Sequence, residues 1–152
     1  MAPCIFARSS ANFTVLAGDL PRTIQAAGGP YLVEADVFVP SGKTIIIEAG
    51  TVFLFKNFTG IHVEGRLLAQ GTKLKPVIFT SEFDRRFNTG STLHANPYDW
   101  NGIFIHKGGI GSELSFCKIL YSVYGINSET KFIRLQHVIF AENGRGNFSV
   151  NG

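Results

Sequence analysis

From Pro30 onward, apolar and polar residues alternate in short runs closed by glycine, proline or charged residues. Alternation at period two is the pattern of a strand with one face buried. Five of these runs share one shape: VFVPSG from Val37, GIHVEG from Gly60, GIFIHK from Gly102, GINSET from Gly125 and GNFSVNG from Gly146. Aligned on the residue expected to point inward, they form the column Val37, Ile61, Ile103, Ile126, Phe148, with steps of 24, 42, 23 and 22. The long step contains residues 82–99, which are polar and lack apolar alternation. Without those 18 residues the step becomes 24.

Other runs repeat at the same period. TIIIEAG from Thr44 matches RLLAQG from Arg66, and TVFLF from Thr51 matches PVIFT from Pro76. Leu114, Cys117, Ile119 and Ser122 match Leu135, Val138, Phe140 and Asn143, each 21 residues on. A unit of this size built from strands and turns is too short for a helical repeat, which needs about 33 residues or more. Each coil then buries its alternate residues against the coils above and below. The expected fold is all-β, a solenoid of about five coils with one long loop excursion. Phe53, Phe55 and Phe79 are assigned to its interior, and Asn143 to a turn where its amide bonds neighbouring backbone.

The segments PYLVEADVFVPSGKTIIIEAGTVFLF, GIHVEGRLLAQGT, PVIFTS, WNGIFI, LSFCKILYSVYGI and LQHVIFAENG resemble bacterial right-handed parallel β-helix repeat proteins, whose fold is that of the pectate lyases. The resemblance spans residues 30–152 and implies a right-handed parallel β-helix. It does not imply one function, because that fold serves enzymes, adhesins and structural proteins alike. Residues 1–29 fall outside the repeat and are expected to cap the first coil, with a strand over 11–16 and a helical turn over 20–27. Residues 148–152 read as the start of a further coil. This predicts the remainder of a longer β-helix, or an end that stacks on a partner, including end-to-end self-association.

Charge and composition narrow the partners. The net charge is +3, and only Arg85 and Arg86 are adjacent basic residues, so no basic stripe suggests nucleic acid. No apolar run reaches the length of a membrane-spanning helix. The first residues lack a basic region followed by a long apolar core, so no signal peptide is expected. Sequons stand at Asn12, Asn57 and Asn147. The two cysteines, Cys4 and Cys117, are far apart, and Cys117 falls on an inward position, which predicts a buried thiol.

Two groups of residues are candidates for chemistry. With Ile61 and Val63 inward, the opposite face carries two outward columns: Glu64, His106, Glu129 and His62, Phe104, Asn127. Such a ladder suits acid–base work or a metal, or simply pairs favourable charges across strands. The second group lies in the excursion: Arg85, Arg86, His94, Tyr98, Asp99 and Trp100. Aromatic and charged residues on a loop suit sugar recognition, or they cover the adjacent coil. Lyase-like catalysis uses clustered Asp for calcium with a Lys or Arg base, and the outward face lacks that set. No catalytic residue, metal or cofactor is assigned. The expected function is a non-catalytic structural or binding module of a cell-surface or secreted bacterial protein, either binding a polysaccharide or self-assembling. The alternative is a carbohydrate-active enzyme holding substrate between the outer face and the excursion.

Overall fold

The computed structural model describes residues 7–8 and 13–151. The described chain is all β, a parallel β-solenoid of about 6 turns with two short 3-10 turns. The strands are β1 (Ala7–Arg8), β2 (Thr14–Asp19), β3 (Thr23–Ile24), β4 (Tyr31–Val39), β5 (Thr44–Glu48), β6 (Val52–Phe55), β7 (Gly60–Val63) and β8 (Arg66–Gln70). They continue as β9 (Val77–Ser81), β10 (Gly102–Ile105), β11 (Glu113–Ser115), β12 (Cys117–Leu120), β13 (Ile126–Ser128), β14 (Arg134–Gln136), β15 (Ile139–Ala141) and β16 (Phe148–Val150).

Each coil has three faces. The first carries β4, β7, β10, β13 and β16 in parallel, with Val37, Ile61, Ile103, Ile126 and Phe148 in register. This is the column read from the sequence. The second face carries β3, β5, β8, β11 and β14, with Thr44 beside Arg66 and Leu114 beside Leu135. The third stacks β2, the first half of β4, β6, β9, β12 and β15. Inward side chains from all three faces form one core along the stack. Phe53 and Phe79 lie parallel within it at 5.2 Å between ring centres.

Two expectations change. The stack has about 6 turns rather than five, because β2 already pairs in parallel with β4. The solenoid therefore reaches back to Thr14, within the segment expected only to cap. That segment's first part, residues 1–6 and 9–12 with Cys4 and Asn12, lies outside the described residues. The match of Thr51 to Pro76 is also one residue out: Phe53 faces Phe79 and Val52 faces Ile78. The turn between β8 and β9, closed by the bond from Thr72 N–H to the Lys75 carbonyl, is four residues longer than that between β5 and β6: Glu48 pairs with Gln70 at a step of 22, and Val52 with Ile78 at a step of 26.

A column of glycines opens the strands of the first face. A Cβ on Gly60 meets the Gly102 carbonyl oxygen at 2.7 Å, and one on Gly102, at φ +125°, meets that of Gly125 at 2.8 Å. Successive coils approach too closely there for any side chain. In the β4 coil the same column holds Asp36, immediately before Val37.

Cys117 is fully buried under this core, and burial pushes its thiol up to about 12. The thiolate is the reactive form. In the native protein at pH 8, mass mapping after iodoacetamide treatment is therefore expected to find Cys117 unmodified, with full labelling only after denaturant is added.

Candidate functional site

The outer surface of the first face gathers the ionisable groups. Strand alternation turns Phe38, His62, Phe104 and Asn127 outward in adjacent positions of four coils. Phe38 and Phe104 stack on opposite sides of His62, with ring centres 5.4 and 5.3 Å away. Tyr124 meets Phe104 edge-on at 6.0 Å. Glu64, His106 and Glu129 follow their strands in matching positions, each N–H bonding a carbonyl of the coil before it.

The side chains do not simply pair along these columns. His106 reaches diagonally to His62, the distance long side chains span across neighbouring strands. The result is one continuous chain. Asp36 Oδ2 lies 3.2 Å from His62 Nε2, His62 Nδ1 lies 3.0 Å from His106 Nε2, and His106 Nδ1 lies 3.1 Å from Glu129 Oε1. The other Asp36 oxygen accepts the Gly60 N–H at 2.9 Å, which fixes the end of the chain to the backbone. The side chains are 28% (His62), 38% (Asp36), 37% (His106) and 47% (Glu129) exposed. Pairs this exposed contribute about 0–1 kcal/mol to stability. The fold therefore does not depend on them.

Asp36 was not among the residues singled out from the sequence, and Glu64 was. Among the described residues, the Glu64 carboxylate joins no hydrogen bond or ion pair. Beside the chain, where the first face turns toward the second, a cleft of about 250 Å³ is lined by Phe104, His106, Lys107, Asn127, Glu129 and Asn151, with the Ile105 backbone. Asn151 donates its amide to Asn127 Oδ1 at 3.1 Å, carrying the cleft onto the next coil. Among the described residues, no group of three or more His, Cys, Asp or Glu is arranged to hold a metal ion.

The excursion packs elsewhere. Trp100 is fully buried. Its ring lies on Phe55 at 3.9 Å and 8°, and its Nε1–H donates to the Leu120 carbonyl at 2.7 Å. It is a core residue and offers nothing to a ligand. Asp99 Oδ2 accepts the Ser81 hydroxyl at 2.6 Å and the Asn96 N–H at 2.9 Å, which ties the two ends of the excursion together. Arg86 grips Asp84 through two nitrogens at 3.0 and 2.9 Å. Arg85 donates to the Thr92 carbonyl at 2.9 Å. The exposed Tyr98 ring lies over Gly144. Of the six candidates in this loop, Arg85, Arg86, His94 and Tyr98 keep exposed surface for a partner, Arg86 while bonded to Asp84. They sit near Tyr121 and Gly144, at the corner where the third face enters the first. The cleft is at the opposite edge of that face, and no excursion residue lines it.

Searches against protein-family models, curated proteins and solved structures find no match to this chain. The class is set by the coordinates alone: a parallel β-solenoid.

Proposed function

We propose that the chain is a rigid, non-catalytic binding module of a secreted or cell-surface protein, and that its first face holds a polysaccharide. The resemblance to bacterial parallel β-helix proteins belongs to this reading. The observation that carries it is the cleft from Phe104 to Asn151, which places an aromatic ring beside two amides, a carboxylate and a lysine. Sugars are recognised by that mixture: a ring packs on the apolar sugar face while fixed polar groups bond the hydroxyls. Sugar hydrolysis by the usual route needs two carboxyl groups flanking the bond. Among the described residues, Glu129 is the only carboxylate lining the cleft, and it is already bonded to His106.

The test is a panel of acidic and neutral polysaccharides, scored together for retention in affinity electrophoresis and for new reducing or unsaturated ends. Retention without products is expected, with Phe104→Ala and Asn127→Ala each weakening it about tenfold, equivalent to about 1.4 kcal/mol. Product formation overturns the non-catalytic reading in favour of a carbohydrate-active enzyme. No retention on any polymer overturns the polysaccharide reading.

A further inference from the structure

The hydrogen bonds from Asp36 to Glu129 fix a proton count. A carboxylate accepts, so His62 Nε2 carries the hydrogen toward Asp36 and His106 Nδ1 the one toward Glu129. A neutral imidazole has a single N–H. With both already directed at carboxylates, two bare lone pairs would face each other across 3.0 Å. Nor is this contact a face-to-face stack. The rings are within 6° of parallel with centres 5.3 Å apart, and the nitrogens are closer than the centres by two ring radii. The nitrogens therefore point at each other in nearly one plane, the geometry of an N–H···N bond.

We infer that His62 and His106 share one additional proton, so that Asp36, His62, His106 and Glu129 form a single acid–base site holding three protons in three hydrogen bonds. The two carboxylates and the one shared proton leave the unit with a net charge of −1. The chain is complete only in that state. Removing the shared proton leaves two hydrogens for three links, so one link opens whichever tautomers result. Adding a fourth proton sets N–H against N–H and opens the link between the histidines.

Among the described residues, the surroundings supply no competing partner for the inner nitrogens. Glu34, on the strand of Asp36, pairs with Lys56 at 3.7 Å. Glu64 follows β7 in the position matching His106 one coil earlier, Lys107 follows His106 in a 3-10 turn, and β16 brings only Phe148, Ser149 and Val150. The Glu129 end opens onto the cleft, where a bound hydroxyl or carboxyl group can exchange a proton with the unit. The inference stands on the chain of four groups and does not depend on which ligand the cleft takes.

The experiment is nitrogen NMR of the full chain with 15N-labelled histidine. A strongly deshielded proton is expected, with scalar coupling between His62 Nδ1 and His106 Nε2. In His106→Phe and His62→Phe the coupling is lost and the remaining ring's nitrogen shifts move. The wild-type coupling decides the matter even if a variant folds poorly. Absence of the coupling in wild type, with His62 shifts unchanged by His106→Phe, overturns the inference.

Discussion

Replacing Trp100 with alanine is expected to destabilise the protein by about 3–5 kcal/mol, the range for deleting a large buried aromatic side chain. Three losses combine. The ring is fully buried and lies flat on Phe55, so a cavity opens in the centre of the stack. The Leu120 carbonyl loses the indole N–H that bonds it at 2.7 Å. Trp100 also ends the excursion and pairs with Ser122 of the next coil, so the loss falls at an interface between coils. In a solenoid such interfaces couple one repeat to the next. Far-UV circular dichroism should show the melting temperature falling by roughly 6–20 °C, from about 2–4 °C per kcal/mol at this size. Trp100→Phe keeps an aromatic surface on Phe55 and loses the N–H, so it should fall between the two. A melting temperature within 2 °C of wild type for the alanine variant would contradict the assignment of Trp100 to the core.

The parts of this architecture legible in the sequence are those set by strand periodicity. Ile61, Ile103 and Ile126 announce their shared column because side chains alternate at period two and the coils repeat at nearly constant length. The excursion at 82–99 shows itself because its residues break that alternation. The register of Phe53 against Phe79 does not, since the turn before β9 is four residues longer than the one before β6, and the apolar pattern does not say where that turn ends and the strand begins. Asp36 was missed for a related reason. It occupies a position that glycine fills in three later coils, so comparing repeats draws the eye to the glycines rather than to the exception. His62 and His106 were both chosen, but in separate columns. Their contact is diagonal, and a diagonal depends on side-chain rotamers, which period-two reasoning does not contain. Trp100 shows a different limit: beside a polar loop it reads either as a binding residue or as cover for the adjacent coil, and its burial against Phe55 decides for the second.

Asp84→Ala is expected to cost about 2–3 kcal/mol, and its effect should depend on pH. Asp84 is 4% exposed, yet it stays ionised because its oxygens are fully engaged. Oδ2 accepts the Thr80 hydroxyl at 2.7 Å and an Arg86 nitrogen at 2.9 Å, while Oδ1 accepts the Arg86 backbone and side-chain N–H groups at 3.2 and 3.0 Å. Burial alone raises a carboxyl's affinity for protons, but the bonds from Arg86 and Thr80 outweigh it and hold Asp84 below the ordinary carboxylate value. Hydrogen bonds to charged groups contribute about 1.5–3 kcal/mol. The Arg86 side chain is 60% exposed, so losing its partner strands no buried charge and the cost stays below that of breaking a fully buried pair. Because the folded protein binds this proton more weakly than the unfolded chain, the contribution is fully present above about pH 4 and is lost as pH falls through the depressed folded value. Urea titrations at pH 7 and pH 3 check both statements. Wild type and Asp84→Ala should differ clearly at pH 7 and converge on acidification. A gap that stays constant across that range would mean the carboxylate's charge contributes nothing, and that the excursion is anchored through Asp99 and Trp100 alone.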